Sequence, residues 1–179
     1  MRKQLRIAAA LALLTLPFAP VSVAGEGDSS QAADLVKAWN QAGAKLVAMA
    51  EDFPEAKYDY RPTPEVRSFA EQLLHVAGST YFFASLVKGE KPGEEDLSRE
   101  KYKTKAEVVA AVKKAVADGE AFLRETAASG LERPVKLPWA EKPVTARSLC
   151  FLTIEHAGEH YGNLVVYYRL NGMVPPASR

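Results

Sequence analysis

The stretch that decides the fold is residues 145–170, which reads TARSLCFLTIEHAGEHYGNLVVYYRL. Its hydrophobic residues fall on most directions of a helical wheel, so the pattern predicts one long helix that is apolar nearly all round. Asn171 and Gly172 mark its predicted end, and Pro175-Pro176 forbids continuation. We therefore expect this fourth helix to be the most buried helix of the protein.

Three further amphipathic segments precede it along the chain. In the first, residues 30–52, apolar side chains recur at steps of three and four and draw one stripe on a helix that ends before Pro54. The second and third segments open with capping boxes, Ser68 with Glu71 and Thr104 with Glu107. Their predicted ends are Gly89 and Gly130. The members of the first stripe are Leu35, Trp39, Ala42, Leu46, Met49 and Phe53.

Four helices of ~20 residues, each with an apolar stripe, pack most economically as a four-helix bundle. The predicted fold class is therefore all-α. No convincing alternating strand is present, and residues 135–137 are too short a strand to matter. Gly119, inside the third helix, either bends that helix or allows close packing.

The amino end has the pattern of a secretory signal peptide over residues 1–24. Three basic residues come first, an apolar run covers residues 7–18, and Ser22-Val23-Ala24 offers small residues for cleavage. The alternative is a membrane anchor, but twelve residues are too few to cross ~30 Å of hydrocarbon. We expect a periplasmic or secreted protein with no stable membrane insertion after processing, in which residues 25–179 form a single domain.

Charge and cysteine content exclude several classes of function. The 179 residues carry a formal charge of +1, and without residues 1–24 the balance is 20 basic against 22 acidic side chains. A nearly neutral chain without a basic run is unsuited to phosphate backbones, so we expect no nucleic-acid partner. The single cysteine, Cys150, excludes an internal disulfide and indicates a buried apolar filler.

The three histidines of the chain form the candidate site. His156 and His160 lie four residues apart on one face of the fourth helix, and His75 lies at the edge of the apolar stripe of the second. Neutral imidazoles bind zinc, nickel or iron(II), and three donors leave a coordination position open for chemistry. Such an ion can lower the pKa of water to about 7. The alternative is three ordinary histidines satisfied by hydrogen bonds.

Four polar residues near the histidines are candidates for supporting roles. Glu159 is the candidate catalytic residue, because it could orient a histidine or accept a proton; the alternative is a solvated charge. Asn163 lies on the inner face one turn after His160, where it could contact substrate or support a ligand. Gln72 and Ser79 flank His75 by one turn on each side and receive the same interpretation.

These residues resemble the DinB-like (DinB/YfiT) superfamily of bacterial four-helix proteins. The likeness spans roughly residues 33–179 and is most specific in the last helix and tail. The matching stretches are residues 60–76, 137–139, 156–164 and 168–176.

The resemblance implies an up-down-down-up bundle with a divalent metal held by His75, His156 and His160, and a tendency to dimerise. Activities in the superfamily include thiol-dependent isomerisation and S-transfer with mycothiol or bacillithiol. Asn163 stands where many relatives have glutamine, and export would separate the protein from cytosolic thiols. We expect a metal-dependent hydrolase or transferase acting on an unidentified small molecule, with spare apolar surface on the first helix for a homodimer.

Two alternatives of other classes stay open. One is a non-catalytic metal-binding or stress protein, in which a fourth protein ligand would cap the ion. The other is a purely structural bundle without metal. A reactive site should instead have a free metal position that faces a cavity open to solvent.

Overall fold

A computed structural model of the protein describes residues 26–93 and 96–179, without side chains for residues 26–29. The signal peptide expected at residues 1–24 lies outside the described residues. These residues form four long helices and one hairpin with two residues in each strand, and short 3-10 turns cover Glu55–Lys57 and Pro176–Ser178. No helix within the described ranges combines the length and the hydropathy needed to cross a bilayer. The elements are α1 (Glu26–Asp52), α2 (Phe69–Lys88), α3 (Lys105–Ala128), β1 (Pro134–Val135), β2 (Val144–Thr145) and α4 (Ala146–Leu170).

The helices pack as the predicted all-α four-helix bundle. Helix α1 lies beside α3 and α4, and α2 also lies beside α3 and α4. At one end of the bundle, Phe53 after α1 stacks on Phe69 at the start of α2 with ring centroids 3.8 Å apart, and Tyr168 near the end of α4 joins them. Lys88 and Glu125 pair at 3.3 Å near the ends of α2 and α3, so these two helices run parallel. The order is therefore up-down-down-up.

The predicted helix ends are confirmed where the sequence carries a local signal. The hydroxyl of Ser68 accepts from the Glu71 amide at 3.3 Å, and the Glu71 carboxylate accepts from the Ser68 amide at 2.6 Å. Thr104 makes the equivalent capping box at α3. Gly89 ends α2 with φ +71°, a left-handed conformation that favours glycine. These caps fix where α2 and α3 begin without help from tertiary contacts.

The expectation that α4 is the most buried helix is wrong. Twelve of the 20 residues of α2 are buried, against nine of the 25 residues of α4. Phe151, Val166 and Leu170 on α4 are each more than half exposed. Helix α4 packs mainly on α1 and α2, so the apolar residues on its far side stay in contact with solvent.

A short hairpin positions the start of α4, which the sequence did not indicate. Val135 pairs with Val144 in antiparallel register, and Val135 itself is buried in the core. The amide of Ala146, the first residue of α4, donates to the Arg133 carbonyl at 2.8 Å. The segment before α4 therefore holds this helix in place even though each strand has only two residues.

Gly119 allows close packing and does not bend α3. The helix is continuous over Lys105–Ala128, and a Cβ atom on Gly119 would overlap the ring of Trp39 on α1. The Trp39 indole N–H donates to the Val116 carbonyl at 2.8 Å. The missing side chain at position 119 thus decides how closely α1 and α3 approach.

Candidate metal centre

The three histidines converge between α2 and α4. The ring centroid of His75 lies 5.1 Å from that of His156 and 4.7 Å from that of His160, and the His156 and His160 centroids are 4.5 Å apart. One ring nitrogen from each residue lies within 4.8 Å of the other two. The two helices are antiparallel neighbours, so a residue of α2 meets a pair spaced one turn apart on α4. Their role as metal ligands stays a prediction.

The distances fit a small divalent ion. Nε2 of His75 lies 3.2 Å from Nε2 of His156. Zinc–nitrogen bonds of ~2.0–2.1 Å place two nitrogens ~3.4 Å apart at tetrahedral angles and ~4.2 Å apart when opposed. No separation within the group is greater than 4.8 Å, which exceeds the second figure by less than 1 Å. Small ring movements would therefore let one ion contact all three nitrogens.

Gln72 fixes the orientation of His160. The Gln72 side-chain oxygen lies 2.6 Å from Nδ1 of His160, and this amide oxygen can only accept. Nδ1 therefore carries the proton, and Nε2 keeps its lone pair for an ion. The Gln72 amide in turn donates to the Tyr167 hydroxyl at 3.4 Å, and that hydroxyl donates to the Arg67 carbonyl. Such a chain of partners is what metal-binding histidines require.

The two ring nitrogens of His156 face different surroundings. Nε2 lies 3.0 Å from the Ser79 hydroxyl and faces His75. Nδ1 lies 3.8 Å from the carboxylate of Glu159, a residue that is exposed. Glu159 is thus placed to orient or polarise His156 from outside, while Ser79 lies on the side where an ion would bind. The catalytic role expected of Glu159 stays a prediction.

Burial keeps the three imidazoles neutral at physiological pH. Desolvation lowers the pKa of His75 and of His160 to about 4, and it also lowers the pKa of His156. The positive charge of Arg67 lowers all three pKa values further. Neutral rings have a free lone pair, so an ion would not compete with protons near pH 7.

The candidate Asn163 does not join the histidines, and neither does Cys150, the expected apolar filler. Asn163 is half-buried one turn beyond His160, and among the described residues it makes no hydrogen bond to a histidine. Cys150 is fully buried, and burial raises the pKa of its thiol to about 11, which makes it a poor ligand and nucleophile. Within the described ranges, the group able to hold an ion consists of the three histidines alone.

An open cleft of about 800 Å³ reaches the histidines from solvent. His75, His156 and Ser79 line its floor, and Phe82 in its wall stacks on exposed Trp139 with ring centroids 6.0 Å apart. Trp139 therefore lies beside the wall of the cleft.

Sequence reasoning missed two residues of the site. The hydroxyl of Tyr167 links Gln72 to the backbone of Arg67. Its spacing of seven residues from His160 places both on one face of α4, and this signal was available. Arg67 lines the cleft, but no local pattern distinguishes it from other surface arginines.

Comparison with known proteins agrees with this fold. The model of the DinB superfamily matches residues 38–164. The Bacillus subtilis protein YjoA is 30% identical over 125 residues, which cover 69% of this chain and 80% of YjoA. The crystal structure of that DinB-like protein superposes with a TM-score of 0.63 at 25% identity, covering 79% of this chain and 93% of the other. The chain therefore belongs to the DinB superfamily.

Proposed function

We propose that this protein is exported, binds one divalent transition metal through His75, His156 and His160, and acts as a hydrolase or transferase on a small molecule. Zinc, nickel and iron(II) all suit three neutral imidazoles. When bound, the ion would supply Lewis-acid activation of water or of a thiol.

The observation that carries this proposal is the open side of the histidine group. His160 is buried at the back, whereas His75 and His156 line the cleft of about 800 Å³. No fourth His, Cys, Asp or Glu among the described residues joins the three. A position that faces solvent and lacks a protein ligand is the arrangement of reactive metal sites, since structural sites are closed by four ligands.

The surrounding residues divide the work in this proposal. Gln72 holds His160 through Nδ1, which leaves Nε2 to bind the ion. The Ser79 hydroxyl lies 3.0 Å from Nε2 of His156. It is therefore placed to donate a hydrogen bond to a molecule beside the ion, or to accept one from it. Glu159 orients His156 through Nδ1, and the supporting or substrate-contacting role of Asn163 stays a prediction.

Metal analysis of untagged protein tests the first half of the proposal. We expect about one equivalent of transition metal after repletion, and less than about half an equivalent would favour the bundle without metal. His156→Ala should abolish binding. Glu155→Ala, an exposed position on the same helix, is the matched control and should bind as the wild type does.

Turnover tests the second half. The metal-loaded protein is assayed with 4-nitrophenyl acetate and with a thiol-transfer panel, beside the metal-free protein and His156→Ala. Activity that requires the metal and is lost in His156→Ala supports the proposal. Activity surviving in His156→Ala rules out metal-centred catalysis, and one equivalent of metal without any turnover favours the non-catalytic metal-binding protein. Fractionation of expressing cells, with the mass of the mature amino end, tests export.

A further inference from the structure

Arg67 occupies an unusual place beside the histidine group. It directly precedes Ser68, the capping residue of α2, and it lines the same cleft as His75 and His156. Its side chain is exposed, whereas its backbone carbonyl accepts a hydrogen bond from the Tyr167 hydroxyl. The backbone that carries the guanidinium is therefore fixed by the same hydrogen-bond chain that orients His160.

The other two arginines of the cleft are neutralised by carboxylates. Arg61 pairs with Glu71 at 2.5 Å, and Arg99 pairs with Asp59 at 2.7 Å. Both oxygens of Glu71 are engaged, one by Arg61 and the other by the amide of Ser68. Each of these two guanidinium charges is therefore balanced by its own carboxylate.

Arg67 differs from both of them. Within residues 26–93 and 96–179, no carboxylate lies within ion-pair distance of its guanidinium, although Glu65 and Glu100 also line the cleft. Arg67 is thus an arginine of the cleft lining whose charge no carboxylate among the described residues balances.

Four apolar side chains, Leu74, Phe82, Phe83 and Leu97, form part of the cleft lining beside Glu65, Ser98 and Glu100. Exposed Trp139 stacks on Phe82 from outside the lining. One cationic side chain against an apolar wall suits a molecule with one anionic group and an apolar body. A carboxylate can form two parallel hydrogen bonds with the planar guanidinium of an arginine, an arrangement that the compact ammonium group of a lysine does not offer.

We infer that Arg67 is an anion-binding residue and that the substrates of this site are small organic carboxylates. The carboxylate pairs with the Arg67 guanidinium, the apolar body lies against Phe82 and Leu97, and the other end reaches the histidines. This inference rests on the proposed function, since it names the substrate class of that site.

Binding of simple acids tests the inference. Benzoate and hexanoate, and their neutral analogues benzamide and hexanamide, are titrated into metal-loaded protein by calorimetry, with Trp139 fluorescence as a second signal. We expect each acid to bind the wild type at least about tenfold more tightly than its amide. Arg67→Gln should lose about tenfold or more in affinity for the acids and little for the amides. The affinity of Arg67→Lys for the acids should lie between those of the wild type and Arg67→Gln, because lysine keeps the positive charge but lacks the planar guanidinium.

Arg169→Gln is the matched control, since it removes the same charge from an exposed position on α4 outside the cleft. It should bind both acids as the wild type does. Metal content is measured in every variant. Three outcomes, each with full metal content, would overturn the inference and leave the proposed function standing. The wild type could bind acid and amide equally well, it could bind no acid up to about 10 mM, or Arg67→Gln could bind the acids as well as the wild type does. A wild type that takes up no metal overturns the proposed function instead.

Discussion

The side-chain oxygen of Gln72 on α2 lies 2.6 Å from Nδ1 of His160 on α4. This contact joins the two helices that carry the histidine group, and it decides which nitrogen of His160 is free. Gln72 is itself held by the Tyr167 hydroxyl. The geometry of the candidate metal centre therefore depends on a buried amide as well as on three imidazoles.

Replacing Gln72 should weaken metal binding without unfolding the bundle. In Gln72→Leu, the Nδ1–H of His160 loses its acceptor, so the ring can rotate or change tautomer. We expect metal affinity to fall by about 10–100-fold, measured by competition with a chromophoric chelator. Thr126→Val on α3 also removes a buried hydrogen bond, to the Phe122 carbonyl, and should leave affinity unchanged. Equal affinities in Gln72→Leu and wild type would contradict this role.

The metal-free protein should lose stability as pH falls from about 6.5 toward 4. The pKa of His75 and His160 is about 4 in the folded protein, below the ordinary value of about 6.5 in the unfolded chain. The unfolded chain therefore binds more protons in this window, so the free energy of unfolding rises with pH there and is fully present above pH 6.5.

Urea unfolding in EDTA at about pH 7.5 and about pH 5 measures this effect. We expect a loss of about 1–2 kcal/mol at the lower pH, after allowance for solvent screening of His75, which is half-buried. His75→Gln removes one of the titrating groups and should show a smaller loss. An identical loss in that variant would mean that other groups cause the pH dependence.

Gly119→Ala should destabilise the protein because its methyl group would overlap the Trp39 ring. We expect a loss of about 1–3 kcal/mol in urea unfolding. Gly158→Ala is the matched control, because Gly158 lies inside α4 with nothing within 4 Å of the added Cβ. It should stabilise by about 0.5–1 kcal/mol through helix propensity alone. If Gly119→Ala and Gly158→Ala had the same free energy of unfolding, α1 and α3 would be able to move apart without loss of stability.

Cys150 should be inert in the folded protein. Burial raises the pKa of its thiol to about 11 from an ordinary value of 9.0, so the thiolate fraction near neutral pH falls by about a hundredfold. Reaction with a disulfide reagent should be slow in native buffer and fast in denaturant. Rapid native labelling would show that the α4 segment around Cys150 opens often.

The homodimer expected from the sequence would use α4 and not α1. The sequence placed the spare apolar surface on α1, but within the described side chains the exposed large hydrophobics include three on α4 and none on α1. We predict a dimer mass by light scattering after gel filtration, and dissociation by Val166→Lys on the exposed face of α4. A monomeric wild type would refute it.

The sequence alone determined the local features of this protein. It correctly predicts the helix ends at Ser68, Thr104 and Gly89. A capping box or a left-handed glycine acts within one turn of the helix, so no tertiary contact is needed to recognise it. The spacing of His156 and His160 put both rings on one face for the same reason. The predicted bundle followed from four stripes of apolar residues, each of which needed a partner.

Tertiary structure decided which faces meet. The rotation of α2 against α4 brought His75 to the other two rings, and the close approach of Trp39 to Gly119 set the distance between α1 and α3. The same packing left one side of α4 exposed and turned Arg67 toward the cleft. These outcomes depend on contacts between residues far apart in the chain, and local periodicity carries no information about the rotation of one helix relative to another.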